Sequence, residues 1–421
     1  MSGIKGIKCT AVIRRLIPWL LLSNIMLVLY CLTSPSRVKI RGSQEDTCPL
    51  RTTKLTSLAV PSRRANSQSE VCAPKVNIVF MKTHKTASST ILNILFRFGE
   101  KHKLRFAFPD GRNDFLYPSP FLCSQVKDYR PGDCFNIICN HMRFDHREVA
   151  KLLPPDAAYI TILRDPADLF ESAFHYYHRA VPITWRIGGE NKLAEFLNDP
   201  QAFYSPTAYN SFYLKNLLFF DFGFDNNLEA DDPSVKTNIQ NLSNRFHLVL
   251  IAEYFEESLI LLKDLLCWTT EDILHFKLNA RKRSSVSLLG PEMRAKALEW
   301  NGADWRLYQH FNATFWARVE AYGRDRMKQE VDRLGRRNAE MKAICMAGGA
   351  VEAQRIQNRR FLPWQPVGET SILGYNMKED MDPKFRTTCE KMLTPEIQYL
   401  SELGVSLWVT QLWGWLKDAI Y

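Results

Sequence analysis

The chain has 421 residues, 46% of them hydrophobic and 24% charged, with a formal net charge of +10. That composition is globular and excludes a disordered or low-complexity protein. The positive balance favours anionic partners such as nucleotides or acidic lipids; no nucleic-acid-binding module accompanies it, so nucleic acid is not an expected partner.

The chain opens with an expected anchor. Residues 16–33 carry no charge, and Lys5, Lys8, Arg14 and Arg15 precede them. As a helix such a run rises about 27 Å, enough to cross a thin bilayer. It is longer than the apolar core of a cleaved signal peptide, and no A-x-A site follows it. The expectation is a cytoplasmic tail over 1–15, a transmembrane signal anchor over 16–33, a luminal stem over 34–74 and a catalytic domain over 75–421. The stem reading rests on its Ser, Thr, Arg and Pro content and its lack of aromatics. In an oxidising lumen Cys48, Cys72, Cys123, Cys134, Cys139, Cys267, Cys345 and Cys389 are available for disulfides, with the pairing open. No CxxC pair has zinc spacing, so a structural zinc site is not expected. Asn241-Leu-Ser and Asn312-Ala-Thr are candidate glycosylation sites.

Strand and helix patterns then alternate. Val76–Met81 is a short, β-branched apolar run, followed by a polar loop and a helical run over Thr90–Phe98. Asn136–Cys139 reads as a second strand, with a helical run over Arg147–Leu153. Ala158–Leu163 is a third, followed by a helix through Leu169–Tyr177. His247–Ile251 is a fourth, followed by a helix over Ser258–Leu266. This alternation predicts an α/β fold, a parallel sheet flanked by helices. Ser205–Phe220 reads as helical, Ile273–Leu278 as a further strand and 290–345 as mostly helical. The C-terminal segment repeats apolar residues at helical spacing, with Trp408, Leu412, Trp415 and Leu416 on one stripe and Trp413 off it. Such a segment suits either docking on the core or a membrane interface.

The loop after the first strand, Lys82-Thr-His-Lys-Thr-Ala-Ser-Ser89, carries the clearest chemistry. Small residues let backbone N–H groups approach an anion, and a helix N-terminus adds partial positive charge. Lys82, Lys85 and the hydroxyls of Thr86, Ser88, Ser89 and Thr90, around Ala87, complete a candidate phosphate cradle. The glycines of a Walker A motif are absent, which argues against ATP hydrolysis. Helix capping alone would also account for the hydroxyls; the added cations favour anion binding.

Phe80–Thr90 resembles the 5′-phosphosulfate loop of the galactose 3-O-sulfotransferase family. Similarity extends through Phe108-Pro-Asp-Gly-Arg-Asn-Asp114, Asn136–Phe144, Leu163–Phe174, Asn216–Asp225 and Leu393–Leu400, covering about residues 75–421. The resemblance implies a P-loop-like sulfotransferase fold and 3′-phosphoadenosine 5′-phosphosulfate (PAPS) as donor, without a metal. It implies that Arg164 and Ser172 hold the 3′-phosphate. Planar donors on Arg suit phosphate oxygens. Arg281, in the basic run Arg281–Arg283, is a further nucleotide candidate. His141 resembles the base position of the heparan sulfate 2-O-sulfotransferases, and His84 is a candidate to share that role. Lys85 is the candidate for stabilising the leaving phosphate. Asn113, Asp114, Phe115, Tyr117, Tyr176, Tyr204 and Tyr209 are candidates for the sugar, with core packing the plainer alternative. The implied acceptor is the 3-hydroxyl of terminal β-galactose. Leu265–Trp268 and Phe276–Arg281 point toward members acting on galactosylceramide and related glycolipids; glycoprotein glycans are the alternative. The implied location is the Golgi membrane, with a homodimer possible. The rival from another class is a tethered nucleotide- or glycan-binding module without catalysis.

Overall fold

The computed structural model describes Cys48 and residues 72–420. The expected tail and anchor, and all but a few residues of the expected stem, lie outside the described residues. Among the described residues no helix is long and apolar enough to cross a membrane.

Strand β1 (Ile78–Met81) leads through the Lys82–Ala87 loop into α1 (Ser88–Lys101). Then come β2 (Phe106–Ala107), β3 (Ile137–Ile138), α2 (His146–Val149), β4 (Ala158–Leu163) and α3 (Pro166–Tyr177). Short helices α4 (Lys192–Asn198), α5 (Pro200–Phe203) and α6 (Leu217–Asp221) follow. After α7 (Pro233–Arg245), β5 (Leu248–Ile251) and α8 (Phe255–Leu266), the chain is helical: α9 (Pro291–Trp300), α10 (Gly302–Tyr322), α11 (Arg324–Cys345), α12 (Pro383–Leu393), α13 (Glu396–Glu402) and α14 (Trp408–Ile420).

All five strands are parallel, in the order β2-β3-β1-β4-β5. β1, β4 and β5 are buried along their whole length, which is why each reads as an unbroken apolar run rather than an alternating one. The chain leaves β1 for the β2 edge, returns through β3, and crosses β1 to reach β4. The C-terminal ends of β1, β3 and β4 therefore face one crevice, where open α/β sheets bind ligands. A second apolar cluster, with Phe170, Phe174, Phe196 and Trp300, fastens α3 to α4 and α9.

Two expectations are corrected. Ile273–Leu278 is not a strand; a 3-10 turn at Glu271–Ile273 leads into irregular chain. Its apolar residues pack into the core, and side chains take the place of a sheet neighbour. Arg97 donates to the Leu274 carbonyl, and the Leu278 N–H donates to Thr90 Oγ1 at 3.3 Å. Ser205–Phe220 is helical only in a 3-10 turn at Ser211–Leu214 and in the start of α6. Asn210 and Asn216, with φ of 61° and 42°, interrupt it in the left-handed region.

The cysteine pairing that sequence left open is Cys48–Cys134, Cys72–Cys267 and Cys345–Cys389, with Cys123 and Cys139 free. α14 docks through the Val409 N–H to the Gly111 carbonyl at 3.0 Å, and Thr410 lies 3.2 Å from Asn113. Gly414 lies so close to the Trp364 ring that a Cβ would stand 2.8 Å from it. Trp408, Trp413 and Trp415 remain exposed on this docked helix.

Candidate functional site

The loop after β1 is shaped by its backbone. Lys85 and Ala87 adopt φ of 59° and 64°, a left-handed conformation that turns the chain sharply into α1. Ala87 caps α1 with no side-chain hydrogen bond, which leaves first-turn N–H groups open to an anion. The hydroxyls are mostly engaged elsewhere. Thr86 lies 2.9 Å from Thr83 Oγ1, Ser88 donates to the Thr83 carbonyl at 2.9 Å, and Thr90 accepts from Leu278. Ser89 donates to Glu396 at 3.2 Å. A phosphate in this loop would therefore meet backbone N–H groups and cations more than free hydroxyls.

The cations converge on Lys85. Its Nζ lies 3.7 Å above the centre of the Tyr176 ring. Arg164, at the end of β4, donates to the Lys85 carbonyl at 3.1 Å and so joins the two strand-end loops. Arg281 arrives from the far side. Glu171 on α3 pairs with its guanidinium and accepts the Ser287 N–H at 2.9 Å, which ties the basic segment to α3 beside Ser172. Ser172 itself is buried. Among the described residues, Arg281 Nη1 is buried without a partner, and neither Lys85 nor Arg164 has a carboxylate within ion-pair distance. Burial, with Arg281 and Arg164 close by, pulls the Lys85 ammonium down to about 7. Three cations, Lys85, Arg164 and Arg281, meet one carboxylate, Glu171, and Arg281 Nη1 is left to donate, which fits a polyanion.

The two histidines also meet. His84 and His141 stack with centroids 4.0 Å apart and planes inclined by 12°. His84 donates its backbone N–H to Asp221 Oδ2 at 2.8 Å, and its Nδ1 lies 2.8 Å from Asp221 Oδ1. Tyr117 donates to that same oxygen at 2.7 Å. Asp221 is fully buried. A carboxylate on Nδ1 fixes the tautomer and leaves Nε2 as the basic nitrogen. His141 has no such partner: among the described residues its Nδ1 is buried and unpaired. Burial first, then His84 and Lys82, holds its imidazolium well below the usual range.

Lys82, His84, Lys85, His141, Arg164 and Arg281 thus form one cluster about the C-terminal ends of β1, β3 and β4, with Thr86, Ser88 and Thr90 buried in the loop and helix start that carry it. Of the sugar candidates, Tyr117 and Tyr176 are in it, and Asp114 pairs by its backbone with His141. Phe115 is buried against Phe121, Tyr204 packs on Trp300, and Tyr209 is exposed. Asn241 is exposed on α7, and Asn312 is half-buried on α10. Among the described residues no group of acidic, His and Cys side chains is arranged to hold a metal. Sequence reasoning missed Asp221, Glu171, Glu396 and the stacked pair Tyr177–Tyr213 (3.7 Å). The one signal for Asp221 and Glu396 was their place in the family-like stretches Asn216–Asp225 and Leu393–Leu400.

A parallel sheet whose central strand ends in a basic loop, with a second cation at the neighbouring strand end, is an α/β architecture that places a candidate anion site where open sheets of this kind bind ligands. The chain belongs to the galactose-3-O-sulfotransferase family, whose model matches residues 6–407. It is 58% identical over 360 residues to the galactosylceramide sulfotransferase of Mus musculus, covering 85% of each chain. The Homo sapiens protein of the same name is 57% identical over 356 residues, covering 84% of each chain. Galactose-3-O-sulfotransferase 2 of Homo sapiens is 42% identical over 335 residues, covering 78% of this chain and 83% of its own.

Proposed function

We propose that this protein transfers the sulfuryl group of PAPS to the 3-hydroxyl of the β-galactose in galactosylceramide, working in the Golgi lumen from a single-pass type II anchor. The observation that carries the donor reading is the junction of the two strand-end loops: Arg164 bonded to the Lys85 carbonyl, with the free Arg281 Nη1 nearby. The 5′-phosphosulfate would lie on the loop and the start of α1, and the 3′-phosphate among Arg164, Arg281 and Ser172.

In the reaction the galactose 3-oxygen attacks sulfur and a new S–O bond forms. The bond from sulfur to the bridging oxygen breaks, and that oxygen leaves with its electron pair on 3′-phosphoadenosine 5′-phosphate (PAP). Lys85 stabilises the charge that develops there. The hydroxyl proton goes to an imidazole. Sequence favoured His141 as that base; the Asp221 contact favours His84, because a carboxylate on Nδ1 stabilises the imidazolium formed when Nε2 takes the proton. His141, kept neutral, would then line the hydroxyl's approach. The lipid acceptor is supported by the relatives' names and by the exposed tryptophans of α14, which docks on the Gly111–Asn113 segment next to Asp114. Such aromatic faces suit a membrane interface. The two sequons, Asn241 and Asn312, fit a luminal domain.

The test is transfer of labelled sulfate from PAPS to galactosylceramide, with lactose-terminated glycans in parallel. Preference for the lipid is expected; preference for the glycans would move the acceptor, and no transfer would remove the reading. In the same assay His84→Ala should lose turnover by about 100-fold or more while still binding PAP. Full turnover in His84→Ala, with loss in His141→Ala, would return the base to His141.

A further inference from the structure

Lys82 directly follows β1 in the donor loop, but its charge is already taken. Its Nζ lies 2.6 Å from both oxygens of Glu396. The pair is nearly closed to solvent, with side-chain exposures of 3% and 12%. Ser89, in the first turn of α1, donates to Glu396 Oε2. Glu396 comes from the start of α13, more than 300 residues away in sequence. After burial, Glu396 also helps hold the Tyr176 hydroxyl above its usual range, and that ring lies beneath Lys85.

A planar anion therefore rests on two of the groups that would face the phosphosulfate in the proposed donor site. With its two oxygens on one ammonium and one hydroxyl, it satisfies them as two phosphoryl oxygens would. A nucleotide anion and this carboxylate cannot share Lys82 and Ser89 without like charges in contact in a poorly solvated site. We propose that Glu396 is an internal anion of the donor site. Lys82 and Ser89 exchange it for the 5′-phosphosulfate when PAPS binds and take it back as PAP leaves. The exchange weakens equilibrium binding of the nucleotide and opens a route for product release. The proposal rests on the donor-site reading above.

The experiment is calorimetric titration of the full-length protein in detergent with PAP, comparing wild type with Glu396→Gln, Glu396→Ala, Lys82→Met and the Lys82→Met/Glu396→Gln double variant. Removing the carboxylate charge should tighten PAP by about tenfold in both Glu396 variants. That gain should vanish when Lys82 is already Met, since the exchange needs both members. A merely structural Glu396 would show no such dependence on Lys82. Unchanged or weaker PAP binding in both Glu396 variants overturns the proposal, as does a gain that survives in the double variant. If either single Glu396 variant fails to fold, the other decides the sign. Failure of wild type to bind PAP at all would instead overturn the donor site and the exchange together. Binding in wild type without a gain in the variants would overturn the exchange alone.

Discussion

At the scale of single residues, Lys85 is the group whose chemistry the site most alters. An ordinary lysine is charged throughout the physiological range. Here burial and two neighbouring guanidinium groups bring its ammonium down to about 7. The sign of the consequence follows from the charged form being the one that binds an anion. Below pH 7 the ammonium is present before the nucleotide arrives. Above pH 7 the empty site holds neutral Lys85, and binding must take up a proton. The Lys85 contribution to PAP affinity should therefore be nearly flat below about pH 6, fall about twofold between pH 6 and 7 and about fivefold between pH 7 and 8, and fall by nearly tenfold per unit beyond. Titrations in buffers of different ionisation enthalpy should detect the proton uptake. Lys85→Arg stays charged and should flatten the profile. A slope of equal size in Lys85→Arg would place the titrating group elsewhere.

At the scale of elements, the short helix α6 explains how a distant carboxylate is aimed at His84. Asp221 lies at its end, and Asp304 on α10 caps its start. Asp304 accepts the N–H groups of Leu218 and Phe219, each at 2.9 Å, and its own N–H donates to Asn216 at 3.2 Å. Ser205–Phe220 reads as one helical stretch, whereas the helix there covers Leu217–Asp221, with limits the sequence did not show. They are set by Asn216 in a left-handed conformation and by a cap that arrives from α10. Ile273–Leu278 was misread for a related reason: its apolar residues are those of a strand, while its backbone partners are side chains of α1. Asp304 is fully buried, and burial first pushes its carboxyl up to about 7 from 3.8, against the pull of the two N–H groups. The folded pKa is raised, so the native state holds a proton that the unfolded chain has lost. This contribution to stability therefore declines as pH rises from about 4 through 7. Asp304→Asn does not titrate there, and its deficit in urea midpoint relative to wild type should narrow over that window. Asp304→Ala leaves two buried donors unpaired and should cost about 3 kcal/mol. A constant Asn deficit from pH 4 to 8 would show that Asp304 is charged throughout.

For the whole molecule, what sequence revealed was local and what it concealed was long-range. The Lys82–Ser89 loop and Arg164 each follow a buried strand within a few residues; periodicity and loop chemistry located the loop, and the family resemblance picked out Arg164. Asp221, Glu171 and Glu396 act on His84, Arg281 and Lys82 across 137, 110 and 314 residues, and no local pattern encodes those meetings. Cysteine pairing is hidden in the same way. Cys72–Cys267 joins the segment before β1 to the end of α8, across 195 residues. Cys345–Cys389 fastens α11 to α12, the helix that precedes α13 and Glu396. Disulfides of this kind persist in an oxidising compartment and are rare in a reducing cytosol. A cross-link spanning so much chain restricts the unfolded ensemble, and the loop-closure relation gives an upper figure of roughly 5 kcal/mol for the first of them. The paired substitution Cys72→Ser/Cys267→Ser should therefore lower the urea midpoint clearly. It should leave PAP affinity intact in the molecules that remain folded, because neither cysteine touches the donor loop. The Cys345→Ser/Cys389→Ser pair loosens the support of α13 and should change PAP affinity as well as stability. If both pairs alter stability alone, the position of Glu396 is secured by the packing of α12 and α13 on α1, and the cross-link serves the fold without serving the site.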